Sequence, residues 1–169
     1  MKELERHSPD LVTKQFRALS WGPDRRVKQY KSCVINGYKF HIRDHDKYRK
    51  TQNSGVVVVG EHEQKEINFY GELYDIVELE YVEGNHVVLF KCDWWNLGKK
   101  KGVVGMRTDE YEFISVNTAN TWYNNQPFVL AYQAEQVFYV PDIKLGNHWK
   151  VVVKNTPRDK YDFPETLSD

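Results

Sequence analysis

The stretch that decides the fold is 67-INFYGELYDIVELEYVEGNHVVLFKCDWW-95. Its odd-numbered positions are largely apolar, as at Phe69, Leu73 and Val77, and its even-numbered positions carry several carboxylates, as at Glu78. A period of two is typical of a strand with one buried face. Gly84-Asn85 then supplies turn residues, so the sequence predicts a central antiparallel hairpin.

The register of this hairpin depends on the length of its loop. A two-residue loop at Gly84-Asn85 gives the cross-strand pairs Val77–Cys92, Leu79–Phe90, Tyr81–Val88 and Glu78–Lys91. A three-residue loop would place Asp75 opposite Asp93, and like charges directly opposite each other are unfavourable. The sequence therefore predicts the two-residue register.

A helix and a second hairpin are predicted before the central stretch. Ser8-Pro9-Asp10 is typical of a helix start, and Gly22-Pro23 of a helix end. Between them Val12, Phe16 and Leu19 form one apolar stripe, which predicts an amphipathic helix. Asn36-Gly37 between two extended runs predicts a hairpin with a type I′ turn.

Residues 43–54 contain no apolar periodicity, which predicts a solvated loop or a segment that orders only on binding. Further strands are predicted at Val56–Val59, Tyr111–Val116, Val137–Val140 and Trp149–Lys154, with turns near residues 124–127 and 144–147. The predicted fold is mainly β, or β-rich α+β. It is a small bent sheet or barrel of short antiparallel strands with one N-terminal amphipathic helix.

The distribution of charge along the chain is more informative than the net charge. The 169 residues have a formal net charge of zero, but residues 1–55 contain 13 Lys and Arg against 6 Asp and Glu. A basic segment beside an acidic one can bind a polyanion or fold back on its neighbour. The predicted organisation is a basic segment 1–55, a β-rich core 56–165 and a tail 166–169, together forming one folded unit.

The cysteines and the apolar runs of the sequence bear on the cellular compartment of the protein. The two cysteines, Cys33 and Cys92, form no C-x-x-C pair, which favours a reducing compartment. No apolar run approaches the roughly 20 residues of a membrane-spanning helix, and the N-terminus lacks the apolar centre of a signal peptide. We expect a soluble intracellular protein with no membrane partner.

Several longer stretches carry a resemblance to a known family. They are residues 18–30 (ALSWGPDRRVKQY), 34–41 (VINGYKFH), 49–56 (RKTQNSGV), 70–73 (YGEL), 88–94 (VLFKCDW), 127–131 (PFVLA), 136–140 (QVFYV) and 157–159 (PRD). Together they resemble the domains of unknown function in plant CACTA (En/Spm-type) transposon proteins, in the same order from about residue 15 to residue 163.

The resemblance implies an accessory or C-terminal portion of such a protein. In that family the acidic-triad transposase core lies N-terminal to the region matched here, so the resemblance carries over no catalytic residue and leaves autonomous transposition in doubt. It implies a nuclear location, with transposase or chromatin proteins as expected partners. A degenerate remnant without a selected function remains an alternative.

The basic segment is the candidate nucleic-acid-binding site, with DNA preferred to RNA as the partner. Cations neutralise phosphates and release counterions, while aromatic rings stack on bases. Tyr30, His41 and Tyr48 are interleaved with these cations. The alternative is a solvated surface whose cations pair with the acidic remainder of the chain. The predicted site residues are Arg25, Arg26, Lys28, Lys31, Tyr38, Arg43, Lys47, Arg49 and Lys50.

An aromatic face on the central hairpin is a second candidate site. The two-residue register places Tyr74 opposite Trp95, with Tyr70 one pair away and carboxylates nearby. Aromatic rings beside carboxylates suit an organic cation such as methylated lysine, which would make this a protein-interaction or chromatin-reading surface. The alternative is that a second layer covers the rings and makes them core.

Metal binding and catalysis receive little support from the sequence. Cys33, His41 and His45 have the spacing C-x7-H-x3-H, which offers three ligands and no recognised zinc pattern. Asp75 lies among the apolar odd-numbered positions, where burial would raise its pKa and suit a general acid, but no nucleophile or partner accompanies it. We therefore predict no metal, no cofactor and no catalytic residues.

Overall fold

The computed structural model describes residues 9–100, 103–122 and 128–157. The predicted mainly β fold is confirmed. The helices are α1 (Pro9–Trp21) and α2 (Arg43–Asp46), and short 3₁₀ turns lie at Val82–Gly84 and Ala131–Gln133. The strands are β1 (Pro23–Tyr30), β2 (Ser32–Ile35), β3 (Tyr38–His41), β4 (Gly55–His62), β5 (Lys65–Tyr81), β6 (His86–Trp95), β7 (Lys99–Lys100), β8 (Val103–Val104), β9 (Met106–Thr108), β10 (Ile114–Asn117), β11 (Thr121–Trp122), β12 (Phe128–Leu130), β13 (Glu135–Pro141) and β14 (Trp149–Lys154).

The main sheet is built around β5, which is 17 residues long. One edge of β5 pairs with β6, and the other edge pairs first with β4 and then with β1. Among the described residues ten strands join this antiparallel sheet, in the order β11-β6-β5-β4-β13-β14-β10-β9 with β1 beside β5 and β12 beside β6. The order has two free ends, so the sheet is open rather than a barrel.

The predicted register of the central hairpin is wrong. Val77 pairs with Leu89 and Glu78 with Val88. The loop is the 3₁₀ turn Val82–Gly84, closed by the Tyr81 amide donating to the Asn85 carbonyl at 2.6 Å. Both Glu83 and Gly84 have positive φ, at 67° and 77°. A glutamate in that conformation is uncommon, so no local residue pattern indicated the longer loop.

A bulge at Tyr74 changes the face that later β5 residues present. The β5–β6 register shifts between Leu73 and Asp75, and both Leu73 and Ile76 are therefore fully buried in the same core. Asp75 does not lie on that apolar face as predicted. It is half-buried and accepts a hydrogen bond from the Gln29 amide at 3.0 Å.

The first core lies on one face of β4, β5 and β6. The β2–β3 hairpin covers it with Phe40, which is fully buried and packs edge to face against Phe90 at 4.8 Å. The 3₁₀ turn Ala131–Gln133 adds Ala131 to this layer. The predicted Asn36-Gly37 turn is confirmed, because Ile35 pairs with Tyr38 and the two turn residues have positive φ.

The second core lies on the opposite face, inside a bend of the sheet. Tyr139 of β13 packs against Trp95 of β6 with ring centroids 6.5 Å apart, although β5 and β4 lie between these strands in the sheet order. The Tyr139 hydroxyl also donates to the Gly71 carbonyl of β5 at 2.8 Å. These contacts require the bent sheet that the sequence predicted.

The predicted helix has the expected extent but not the expected packing. It runs from Pro9 to Trp21 and is followed by Gly22 at a φ of 73°. Of the predicted apolar stripe, Phe16 and Leu19 are 68% and 65% exposed, while the side chain of Val12 and the predicted cap Ser8 lie outside what the structure describes. Among the described side chains of α1, Ala18 alone is buried.

The prediction that residues 43–54 are a solvated loop or a segment that orders only on binding holds in part, because residues 47–52 are exposed but Asp46 and Ser54 are buried. The segment contains α2, and Asp46 at its end is buried. A backbone hydrogen bond connects the C-terminal end of the segment to the sheet, because the Leu73 amide donates to the Ser54 carbonyl at 2.8 Å. Buried polar groups rather than apolar periodicity hold this segment, which explains why the hydropathy pattern missed it.

The remaining strand predictions are confirmed, one with its predicted bounds and the others with altered bounds. The strand predicted at Trp149–Lys154 is found with those bounds, and the predicted Val56–Val59 and Val137–Val140 are parts of β4 and β13. The strand predicted from Tyr111 begins only at Ile114, because Glu112 has a φ of 65°. The predicted turn at 124–127 and the tail 166–169 lie outside the described residues. No described helix has the length and apolar character needed to cross a membrane.

Candidate nucleic-acid interface

The cations of β1 differ in how far their charge is already neutralised. The Lys28 ammonium lies 3.4 Å from Glu80 and 3.7 Å from Glu78, and its hydrogen bond to Glu80 raises the pKa of Lys28. Arg26 lies 3.8 Å from Asp24. Arg25 is exposed and forms no ion pair within the described part of the chain. Lys28 therefore fits the alternative of pairing with the acidic remainder.

Two predicted site residues are removed from the candidate surface by their surroundings. Tyr38 is buried in the first core, so its ring cannot stack on a base as predicted. Arg43 forms an ion pair with Asp93 and lies over the ring of Tyr74, 5.3 Å from its centroid. Both corrections follow from long-range contacts that a local charge pattern does not show.

The remaining predicted cations form an exposed group around the end of α2. Lys31 precedes β2, Lys47 caps α2, and Arg49 and Lys50 follow in the next turn. None of these four side chains forms an ion pair with any residue in 9–100, 103–122 or 128–157. Tyr48 between them is 87% exposed, with the Lys47 ammonium 5.8 Å from its ring centroid. We refer to these five residues as the basic loop patch.

A buried polar frame beneath α2 holds the basic loop patch in place. His41 Nδ1 lies 2.9 Å from Asp46 Oδ1, and both side chains are buried. The other Asp46 oxygen accepts a hydrogen bond from the Asn53 backbone amide. Asn53 in turn accepts from the His41 amide through its carbonyl, at 2.9 Å. The cations therefore extend from a fixed backbone, which reduces the entropy lost on binding.

The pKa of His45 shows that the patch cations act on the same region. Burial lowers the pKa of His45, and the positive charge of Arg49 lowers it further. Lys31 adds a smaller contribution in the same direction. Two cations from different chain segments thus raise the positive potential at one imidazole.

Residues 77–152 match the family described as Domain of unknown function (DUF4216). The matched range begins in the second half of β5 and ends in β14. No curated protein and no solved structure matches the chain. The basic loop patch lies before the matched range, so this similarity bears on the sheet and not on the patch.

The predicted aromatic interaction face is not formed. Tyr70 and Trp95 are buried in the second core, and Trp95 pairs with Thr121 rather than facing Tyr74. Tyr74 lies apart from them, with the Lys91 ammonium 5.0 Å from its ring centroid. Because the bulge and the shifted register separate these rings, they cannot surround one cation.

The residues considered for metal binding have other roles in the structure. No group of three or more ligand-type side chains suited to a metal ion occurs within the described ranges. His41 is engaged by Asp46. Burial raises the pKa of the Cys33 thiol to about 12, so the thiolate that zinc requires is disfavoured at neutral pH.

Sequence reasoning missed the residues that position the patch. Asp46 and Asn53 were treated as part of a solvated loop, and Gln136 was not considered. The Gln136 amide donates to the Lys39 carbonyl at 2.6 Å and so links β13 to β3. Asp46 lies five positions after His41, and this local spacing is the one sequence feature that could have suggested the pair.

Proposed function

We propose that this protein binds nucleic acid, DNA in preference to RNA, through the basic loop patch and without a catalytic step of its own. The observation that carries the proposal is that Lys31, Lys47, Arg49 and Lys50 are exposed and form no ion pair within the described residues. Unpaired cations can neutralise phosphates without first breaking contacts inside the protein.

The exposed Tyr48 ring supports a preference for unpaired bases. Burying a tyrosine ring on a base contributes about 1–3 kcal/mol in single-strand binding, and the base identity matters little. The adjacent Lys47 would contact the phosphate of the stacked nucleotide. We therefore expect single-stranded DNA to bind more tightly than duplex DNA of the same length.

The test is a salt-dependent titration with fluorescent single-stranded and duplex oligonucleotides. The plot of log affinity against log salt concentration should be steep, and its slope should fall by about one unit for each phosphate contact removed. Lys31→Ala, Lys47→Ala, Arg49→Ala and Lys50→Ala should each show this loss. Tyr48→Ala should weaken single-strand binding far more than duplex binding.

Lys28→Ala is the matched control, because this lysine is already paired with Glu78 and Glu80. It removes one positive charge from the same N-terminal segment and should leave the slope nearly unchanged. Absence of binding at low salt would contradict the proposal. An equal loss in Lys28→Ala and Lys47→Ala would show that net charge, not the patch, determines the affinity.

We further propose CACTA-transposon descent and a nuclear location for this protein. The support for the descent is the sequence resemblance, including the stretch 49–56 that overlaps the patch. The nuclear location follows from that lineage. Fractionation of cells that express the tagged chain should recover it with chromatin, and patch variants should be released at lower salt than the Lys28→Ala control.

A further inference from the structure

The edge of β4 that faces away from β5 is covered for only part of its length. Strand β13 pairs with this edge at Val56 and Val57. The residues that precede β13 turn away from the edge into the 3₁₀ turn Ala131–Gln133, which packs on the first core. From Val58 onwards no described strand pairs with this edge of β4. The sheet therefore has an open edge beside its first core.

The hydrogen bonds between β4 and β5 show which backbone groups point towards the open edge. Opposite residues of an antiparallel ladder are alternately hydrogen-bonded and non-hydrogen-bonded. The Leu73 amide donates to the carbonyl of Ser54, its opposite residue, at 2.8 Å. By alternation from this bonded pair, Val59 and Glu61 direct their N–H and C=O groups away from β5. None of these groups has a hydrogen-bond partner within the described ranges.

A groove of about 400 Å³ runs beside this open edge. Four consecutive residues of β4, 58–61, belong to its lining, as expected where a groove follows the edge of a strand rather than one face. On the face of the first core the groove is apolar, with Phe69, Trp94 and Val129. A Cβ on Gly60 would lie 2.8 Å from the Phe69 ring, so this ring occupies the space above the glycine. An apolar side chain opposite Gly60 on a neighbouring strand would therefore contact Phe69.

The other face of the same edge is acidic. Glu61 lies directly opposite Glu66 in the β4–β5 register, and both side chains are exposed. Neither carboxylate forms an ion pair with a described residue. Like charges opposite each other are unfavourable, and a basic residue next to Glu61 on an added strand would compensate for them. On this face Val59, which is 56% exposed, offers an apolar contact.

We infer that the open edge of β4 binds an extended peptide of another protein as an additional antiparallel strand. In this mode main-chain hydrogen bonds give affinity and alternate side chains give specificity. A basic residue of the peptide lies opposite Glu61. The next residue is aromatic and lies opposite Gly60 against Phe69, and a β-branched residue follows opposite Val59. The peptide therefore carries Lys-Phe-Val or Arg-Phe-Val, and it binds without using the basic loop patch.

The probe is the capped peptide Thr-Lys-Phe-Val-Thr, titrated into the nitrogen-15-labelled whole chain. The NMR signals of the Val59, Gly60 and Glu61 amides and of the Trp94 indole should shift together in a saturable way. The Val59 and Glu61 amides should also exchange their hydrogens more slowly. Thr-Phe-Lys-Val-Thr has the same composition and charge but places the lysine at the groove. It should bind at least about tenfold more weakly, because the aromatic ring is no longer buried.

N-methylation of the peptide distinguishes strand addition from side-chain binding in the groove. The N–H group of the peptide valine points to β4 in a hydrogen-bonded pair, whereas that of the phenylalanine points away. Methylation of the valine nitrogen should therefore weaken binding by about tenfold or more, since it removes a main-chain hydrogen bond. Methylation of the phenylalanine nitrogen leaves the bonds to β4 intact and should have a much smaller effect.

Variants of Glu61 test the charge selection. Glu61→Gln should weaken binding of the lysine peptide about threefold to fivefold, which is the effect of one exposed ion pair. Glu61→Lys should weaken it further and should favour Thr-Glu-Phe-Val-Thr instead. Glu110→Gln, at an exposed glutamate in the turn before β10, is the control and should bind the lysine peptide as the unchanged chain does.

Four results would overturn the inference. The first is an absence of shifts at the Val59 and Glu61 amides at millimolar peptide. The second is equal binding of the two N-methylated peptides, which would indicate a groove site without strand addition. The third is unchanged binding in Glu61→Gln. The fourth is self-association in sedimentation equilibrium with protection of the same two amides in the absence of peptide, which would assign the edge to a second copy of the chain.

Discussion

Whether a basic residue is available to contact a phosphate depends on whether its side chain already pairs with a carboxylate. Lys28 and Lys47 lie in the same basic segment, yet Lys28 has two carboxylates within 4 Å and Lys47 has none among the described residues. The carboxylates that neutralise Lys28 come from β5, about fifty residues later in the chain. Local charge density therefore overestimates the proposed binding surface, and tertiary pairing leaves the basic loop patch as the candidate.

His45 gives the nucleic-acid proposal a dependence on pH. Its pKa in the free protein is lowered from 6.5 by burial and by Arg49, so the neutral form is favoured at pH 7. The stability contributed by this group is therefore present above pH 6.5 and is lost as the pH falls through the lowered pKa. A phosphate bound at the patch would favour the charged form, and DNA binding would then take up a proton.

We expect the affinity for single-stranded DNA to increase about threefold to fivefold as the pH falls from 8 to 6 at constant salt, which is the effect of one further exposed charge pair. His45→Gln should remove most of this increase. The measurement is a set of oligonucleotide titrations at pH 6, 7 and 8. The same pH dependence in His45→Gln would assign the effect to another group and contradict this role.

At the scale of elements, the loop that carries the patch depends on one buried carboxylate. Asp46→Ala would leave the His41 ring buried without its partner and free the Asn53 amide. The loss of a buried polar pair costs about 1–3 kcal/mol. We expect residues 43–54 to exchange their amide hydrogens faster and DNA affinity to fall, although no cation has been removed.

Hydrogen exchange followed by mass spectrometry measures this effect peptide by peptide. Asp44→Ala is the control, because Asp44 is exposed and lies in the same helix. Equal protection of residues 43–54 in both variants would show that the His41–Asp46 pair does not hold the loop.

The junction between β4 and β13 allows a second test at this scale. A Cβ on Gly55 would lie 2.2 Å from the Val137 carbonyl oxygen and 3.1 Å from the Tyr139 ring. Gly55→Ala must therefore move one strand away from the other, at a cost of about 1–3 kcal/mol. Gly98→Ala is the control, since the nearest atom to its added Cβ is a side-chain oxygen at 3.3 Å.

Urea unfolding followed by tryptophan fluorescence should give a lower midpoint for Gly55→Ala and a nearly unchanged midpoint for Gly98→Ala. Equal midpoints would mean that the two strands do not approach each other as closely as the structure places them.

The elements also show what the sequence could and could not predict. Asn36-Gly37 and the strand Trp149–Lys154 have clear local signals, and both were predicted correctly. The bulge at Tyr74 and the positive φ of Glu83 have no such signal, and together they changed the register and the faces of β5. The proposed aromatic face failed for this reason, since Trp95 is brought into the second core.

At the scale of the whole molecule, the N-terminal basic segment is part of the sheet and of its core. Strand β1 occupies the edge of β5 from Ile76 to Tyr81, and Phe40 covers the first core from β3. The charge boundary near residue 55 is thus a boundary of composition, across which the contacts are continuous. This arrangement also explains how cations of residues 31–50 are held next to an acidic sheet without all being neutralised by it.

The last prediction follows from the contacts that join the N-terminal basic segment to the rest of the sheet. A fragment of residues 56–169 lacks β1 and the β2–β3 hairpin, and would expose Leu73, Ile76 and Phe90, which are fully buried in the chain. Burying each such side chain contributes about 1.5–3 kcal/mol, so the loss is a large fraction of the usual 5–15 kcal/mol stability of a domain. We expect this fragment to bind a hydrophobic dye and to unfold without a cooperative transition.

A fragment of residues 23–169 provides the comparison, because it removes α1, whose described side chains are mostly exposed, and keeps all the strands that the structure describes. It should melt cooperatively, within a few degrees of the whole chain. Near-ultraviolet circular dichroism during heating distinguishes the two, since Trp94 and Trp95 report on packing of the two cores. A cooperative melt of residues 56–169 with a native aromatic spectrum would place the folding unit in the acidic part alone and make the basic segment an appendage.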